Sequence, residues 1–235
     1  MERDFSDRTV LVTGAAGNLG AAVAAEFAQR GANLVVMDLN GEALAKAYGT
    51  WAQTVAAPVD LLEQAQVDTA VERVVARFGR IDVLVNLAGG FRMGEPVHAM
   101  AESTWNFMLD LNVRSLLHAV HAVVPHMLAG GGGKIVNVGA FAAQRGAAQM
   151  GAYIASKSAV IRLTESMAAE LREQNVNVNC VLPTIIDTPQ NRAAMPNADP
   201  AKWVAPGDLA KVIAFLASDA ARAVHGAALP VSGLS

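Results

Sequence analysis

Tyr153 and Lys157 stand at positions i and i+4 of Gly151-Ala-Tyr-Ile-Ala-Ser-Lys-Ser-Ala-Val160. On a helix that spacing puts both on one face, one turn apart. A phenol titrates near ~10, too high for easy proton exchange at neutrality. A neighbouring ammonium favours the phenolate and is expected to bring Tyr153 down toward the range where acid–base catalysis is efficient. Taken alone the pair is a weak signal, because Tyr-x-x-x-Lys also occurs on helices that do no chemistry. A second stretch is Thr13-Gly14-Ala15-Ala16-Gly17-Asn18-Leu19-Gly20. Its glycines let backbone amides come close to a pyrophosphate, and a helix that starts there adds partial positive charge.

The elements around these residues have the order such chemistry needs. Thr9 to Val12 is a short apolar run leading into the glycine-rich turn, and the alanine-rich stretch Ala21 to Arg30 reads as a helix closed by Gly31. Asn33 to Asp38 reads as a second strand with an acid at its carboxyl end. A carboxylate at that point can accept hydrogen bonds from ribose hydroxyls and repel a 2′-phosphate, which favours NAD(H) over NADP(H). The competing reading makes Asp38 the cap of the next helix. Val55 to Asp60 ends a third strand, placing Asp60 to reach an adenine edge.

The alternation continues through a helix over Leu62 to Phe78, a strand over Ile81 to Val85 and a helix over Glu102 to Leu128. Gly130 to Gly133 form a turn before the strand Lys134 to Val138, and Tyr153 to Gln174 is the next helix. A strand over Val176 to Leu182, a helix over Pro206 to Ser218 and a last apolar stretch over Gly226 to Val231 complete the chain. Strands alternating with helices of this length predict an α/β fold: one parallel, doubly wound, Rossmann-type sheet covered on both faces. No linker, repeat or composition shift divides the 235 residues, so a single domain is expected.

Composition narrows the function classes. The chain is 53% hydrophobic and 17% charged, with mean hydropathy +0.31, which suits a sheet buried on both faces and leaves apolar surface for subunit contacts. A net charge of −3 without a basic cluster argues against nucleic acid. No uninterrupted apolar run reaches the ~18 residues of a membrane span, and the charged start Met1 to Arg8 does not read as a signal peptide. The single Cys180, in an apolar run, reads as a buried thiol, and a cytoplasmic protein is expected. The five histidines make no metal-ligand spacing with acids, so no metal is expected.

Taken together and in order, Thr13 to Gly20, Asp60, Asn86-Leu87-Ala88-Gly89, Asn112, Tyr153-x-x-x-Lys157 and the Pro183 segment resemble the classical short-chain dehydrogenase/reductase family over nearly the whole chain. The resemblance implies an NAD(P)-dependent oxidoreductase acting on a small molecule. It implies Tyr153 as proton donor or acceptor, Lys157 as the group that tunes it and holds the nicotinamide ribose, and Asn112 as support for a water relay. It also implies that Thr13, Gly14, Gly17, Asn18, Leu19 and Gly20 cradle the diphosphate, and that Asn86, Ala88 and Gly89 line the adenosine side. Pro183 to Thr188 would lie along the nicotinamide, with Thr188 at its carboxamide, and a homodimer or homotetramer is implied. Read alone, Asn112 in Leu109 to Val113 is equally an ordinary helix residue.

Three positions depart from the pattern. The middle family glycine falls at Asn18, and the usual Pro-Gly is Pro183-Thr184. The family serine that holds a substrate carbonyl would sit at position 140, where this chain has Ala140, and no Ser or Thr lies between Gly139 and Ala152. Losing one such donor can cost ~10²–10³ in rate. The segments Gly139 to Gly146 and Val181 to Asp199, with Trp203 and Ala88-Gly89-Gly90-Phe91, resemble the quinonoid dihydropteridine reductases, which also lack that serine. Those enzymes use NADH. A ketone or 3-oxoacyl reductase, and a catalytically silent dinucleotide sensor, are the alternatives. The proline-bearing stretch 184–205 reads as a substrate lid.

Overall fold

The computed structural model describes residues 4–235. Seven parallel strands form one sheet in the order β3-β2-β1-β4-β5-β6-β7. They are β1 Thr9–Thr13, β2 Asn33–Asp38, β3 Thr54–Pro58, β4 Val83–Asn86, β5 Gly133–Val138, β6 Val176–Pro183 and β7 Ala228–Val231. The helices are α1 Asn18–Gln29, α2 Gly41–Tyr48, α3 Gln64–Phe78, α4 Glu102–Leu109, α5 Ser115–Ala129, α6 Gly151–Leu171, α7 Pro189–Ala194 and α8 Pro206–Ala217.

Strands buried on both faces need apolar side chains at every position, and alternate residues divide between two cores. Leu11, Val35, Leu84, Ile135 and Val178 point to the core shared with α3, α5 and α6. Val10, Val12, Val36, Val85 and Val181 point to the core shared with α1, α2 and α8. The doubly wound parallel sheet expected from the alternation is therefore present.

After β3 the chain crosses over the sheet and enters β4 on the other side of β1, so the strand order switches direction between β1 and β4. Ligands of open parallel sheets bind outside the carboxyl ends of strands at such a switch. The register pairs Thr13 with Asn86 there, which brings the turn after β1 beside the turn after β4.

One sequence expectation is corrected. The helix expected over Glu102 to Leu128 is not regular: a π turn, Asp110–Arg114, separates α4 from α5. Asn112 sits inside it, 2% exposed. One extra residue per turn in a helix displaces side chains from the regular stripe, which periodicity alone does not register. The run Glu102–Ala129 is long and apolar enough by composition to cross a membrane. In this fold it packs on α3 and α6 as part of the domain.

Candidate functional site

The turn after β1 is shaped by close backbone approach. Gly14 has φ +65°, and a Cβ there would lie 2.8 Å from the amide nitrogen of Ala88, so this position needs glycine. Thr13, buried beneath it, accepts hydrogen bonds at Oγ1 from the amides of Leu87 (3.1 Å) and Ala88 (3.3 Å). It locks the two turns together rather than facing the opening. Gly17 precedes α1 with no side-chain cap, which leaves the first amides of the helix for a ligand. These turns border a cleft of about 530 Å³, lined by Gly14, Gly17, Asn18, Leu19 and Gly20 on one side and Ala88 and Gly89 on another.

Asp38 and Asp60 line the same cleft. Asp38 Oδ2 accepts from the Ala16 amide at 3.0 Å and Oδ1 from the Asn40 amide at 3.0 Å. The cap of α2 is Asn40, whose Oδ1 accepts from Ala43 N–H at 3.0 Å, so the helix-cap reading of Asp38 falls away. Asp60 Oδ1 accepts from the Leu62 amide at 2.9 Å. Among the described residues, no lysine or arginine lines the cleft. The Tyr48 hydroxyl braces the turn from below by donating to the Ala15 carbonyl at 2.6 Å, and burial together with the Asp38 charge pushes it up to about 12.

At the inner end of the cleft three elements converge on Gly89. A Cβ added there would sit 2.8 Å from Asn112 Oδ1 and 3.1 Å from Lys157 Nζ. Only a bare backbone passes between those groups. Lys157, on α6, donates to the Val138 carbonyl at the end of β5 at 2.8 Å. Asn112 Nδ2 donates to Ser156 Oγ at 2.9 Å, and Ser156 donates to the Tyr153 carbonyl at 2.8 Å. Tyr153 packs edge-on against Phe91, with ring centroids 4.8 Å apart. Tyr153, Lys157 and Asn112, far apart in sequence, are thus brought around one backbone segment.

The electrostatics correct a second expectation. Burial pushes the Tyr153 phenol up to about 12 and the Lys157 ammonium down to about 8, the thiol of Cys180 acting weakly the other way on the lysine. The ammonium points at a carbonyl, so desolvation outweighs the lowering of the tyrosine that spacing alone suggested.

The other expected residues fall into two groups. Thr188 lines the cleft and caps α7, accepting from the Asn191 amide at 3.2 Å. Asn86 is 5% exposed and donates to Asn137 Oδ1 at 2.9 Å, and Pro183 is buried as the last residue of β6. These two shape the walls from behind. Ala140 is buried, and the polar side chains of its segment, Gln144, Arg145 and Gln149, are exposed. The stretch 184–205 carries α7 and is joined back to itself between Ile186 and Val204. Asn18 Nδ2 donates to Gln190 Oε1 at 2.8 Å, tying the glycine-rich turn to α7. Sequence reading missed Gln190, Ser156 and Phe107, a cleft residue on α4. No motif surrounds Gln190 or Phe107, and Ser156 was signalled only by its place between Tyr153 and Lys157.

Comparison with known proteins agrees with this geometry. Residues 8–199 match the short chain dehydrogenase family. The chain is 35% identical to D-threitol dehydrogenase of Mycolicibacterium smegmatis, covering 96% of this chain and 92% of that one. It is 33% identical to the 3-oxoacyl-[acyl-carrier-protein] reductase FabG of Thermotoga maritima, covering 96% of each. The crystal structure of NAD⁺-bound xylitol dehydrogenase superposes with a TM-score of 0.90 at 30% identity, over 97% of this chain and 99% of that one. With a cleft lined by the glycine turn at the switch point and a family match over most of its length, the chain belongs to the short-chain dehydrogenases and is an NAD(P)-dependent oxidoreductase.

Proposed function

We propose that the protein is an NADH-preferring reductase of a small carbonyl or conjugated substrate, with Tyr153 as its proton donor. The observation that carries this reading is the approach of Asn112 and Lys157 to the same side of Gly89, at the end of the cleft, with Tyr153 one turn from Lys157 on α6. The residues present fit a dinucleotide: the glycine turn lines the cleft, and α1 opens there with no side-chain cap. Asp38 would hold the ribose hydroxyls and Asp60 the adenine edge. Two carboxylates and no cation in the lining support NAD(H), because a 2′-phosphate would meet only like charge there.

When bound, the nicotinamide supplies the hydride. The chain's own residues handle the proton. Tyr153, protonated at neutral pH, gives its hydroxyl proton to the substrate oxygen or nitrogen as negative charge develops there. Lys157, still largely charged at pH 7, stabilises the phenolate left behind and is held in place by Val138. Asn112 and Ser156 fix the start of α6 relative to the Gly89–Gly90 backbone. With Ala140 in place of a hydroxyl, Tyr153 is the single protein donor we assign to the reacting atom. That supports substrates such as a quinonoid dihydropterin, whose charge is delocalised, ahead of simple ketones. The exposed side chains of Trp105, Leu117 and Leu128 along α4 and α5 support a homodimer or homotetramer, and the stretch 184–205 is proposed as the substrate lid.

The test is oxidation of NADH and NADPH by the purified protein with a quinonoid dihydropterin, cyclic ketones and 3-oxoacyl thioesters. NADH-linked turnover that is lost in Tyr153→Phe, with NADH binding retained, is expected. Equal turnover by wild type and Tyr153→Phe sinks the assignment. Cofactor binding without turnover of any substrate would favour a dinucleotide sensor.

A further inference from the structure

The rim beside Tyr153 holds an unusual combination of residues. Phe91 packs on Tyr153 yet is 54% exposed, and Met93 and Val97 nearby are also exposed. Between Phe91 and Met93 stands Arg92, whose guanidinium carbon lies 3.6 Å from the centroid of Phe107. Phe107 also lines the cleft. Arg92 and Met93 share a small recess with Gln149, Gly151 and Ala152, which lead into α6 and Tyr153. An arginine stacked by its face keeps the donors along its edge free. Among the described residues, Arg92 forms no ion pair. Arg192, on the lid helix α7, is by contrast held by both oxygens of Asp187 at 2.6 and 2.7 Å.

We infer that Arg92 is a specificity residue that pairs with a carboxylate on the substrate, so that among ring ketones those bearing an acidic group are preferred. The inference rests on the reductase reading above and deepens it. Without a hydroxyl at position 140, the reacting oxygen has one protein anchor fewer, so orientation has to come from remote contacts. The exposed aromatic and aliphatic side chains at the rim suit a hydrocarbon ring, and the free edge of Arg92 suits a planar carboxylate at its far end.

Two ketones of equal ring size separate the charge from the ring: 4-oxocyclohexanecarboxylate and cyclohexanone, each reduced with NADH. The wild type is expected to favour the carboxylate on the order of tenfold in kcat/KM, through KM, as one charged hydrogen bond supplies. Arg92→Gln is expected to bring the ratio to about one, Arg92→Lys to keep part of it, and Arg92→Glu to invert it. A wild-type ratio near one, or a preference that survives Arg92→Gln, overturns the inference. Binding of the unreactive cyclohexanecarboxylate to the NAD⁺-loaded protein, measured by calorimetry, decides the matter without turnover. If it binds wild type and not Arg92→Gln while neither ketone nor the quinonoid dihydropterin is reduced, the carboxylate site stands and the reductase reading fails. If it binds both equally, the site is wrong.

Discussion

Asn112 and Gly90 hold each other by a reciprocal pair of hydrogen bonds: the Gly90 amide donates to Asn112 Oδ1 at 2.9 Å, and Asn112 Nδ2 donates to the Gly90 carbonyl at 3.2 Å. The side chain thus acts as a substitute strand for the backbone leaving β4. The same Nδ2 reaches Ser156, so one amide ties together the segment after β4, the π turn and the helix that carries Tyr153.

Removing that amide leaves two part-buried backbone groups of Gly90 without their partner and takes one of its two hydrogen bonds from Ser156, which still donates to the Tyr153 carbonyl. Asn112→Ala is expected to lower unfolding stability by about 2–4 kcal/mol in a denaturant titration. At temperatures where the variant is folded, turnover should fall at least on the order of tenfold, since Gly89 and Tyr153 lose their common brace. Unchanged stability and turnover would show that the brace is dispensable.

Lys157 makes stability depend on pH in a definite direction. Its folded value of about 8 lies below the ordinary 10.5, so the charged form is penalised by burial. Below pH 8 both folded and unfolded chains carry the proton and the penalty is complete. Between pH 8 and 10.5 the unfolded chain binds more protons, and stability rises with pH. Lys157→Met is therefore expected to be inactive yet more stable than wild type at pH 7, by about 1–3 kcal/mol, with the gap closing toward pH 10.5. Urea titrations across that range check it; a gap that widens with pH contradicts the burial account.

Gly14 has no room for a methyl group. Gly14→Ala combines a left-handed φ of +65° with a contact of 2.8 Å to the Ala88 amide nitrogen, and neither backbone yields cheaply. A loss of at least about 2 kcal/mol in stability and of measurable NADH binding is expected. Calorimetry and thermal melts would reveal it.

Asp38 makes two backbone bonds that a single hydroxyl could only partly replace. Asp38→Ser removes the charge that opposes a 2′-phosphate. The ratio of kcat/KM for NADH over NADPH is expected to fall on the order of tenfold or more, with some loss of stability from the freed Ala16 amide. A ratio that stays constant would mean that Asp38 does not select the cofactor.

Much of the architecture was open to local reading, as particular elements show. Most strands, such as Thr9–Thr13, are short runs rich in apolar and β-branched residues, the long helices lie between them, and neither pattern depends on distant residues. Thr13 to Gly20 announces a turn because glycine alone tolerates the backbone there. Helix ends were less legible. Asn18 to Gly20 belong to α1, although the helix was expected from Ala21, because a glycine-containing first turn has low propensity and is held by tertiary contacts such as Asn18 to Gln190.

From the sequence alone followed the α/β alternation, the glycine turn, the Tyr153–Lys157 spacing and the absence of a hydroxyl at Ala140, all of them properties of residue type at short separation. Tertiary structure alone decided where those groups meet and what they are charged like. The π turn that buries Asn112, the approach of Lys157 and Asn112 to Gly89, and the hydrogen bond from Asn18 to Gln190 on α7 join residues far apart in the chain. The tyrosine moved up rather than down because a titration value answers to the dielectric around the group. Burial is set by everything folded over a residue, not by the neighbour one turn away.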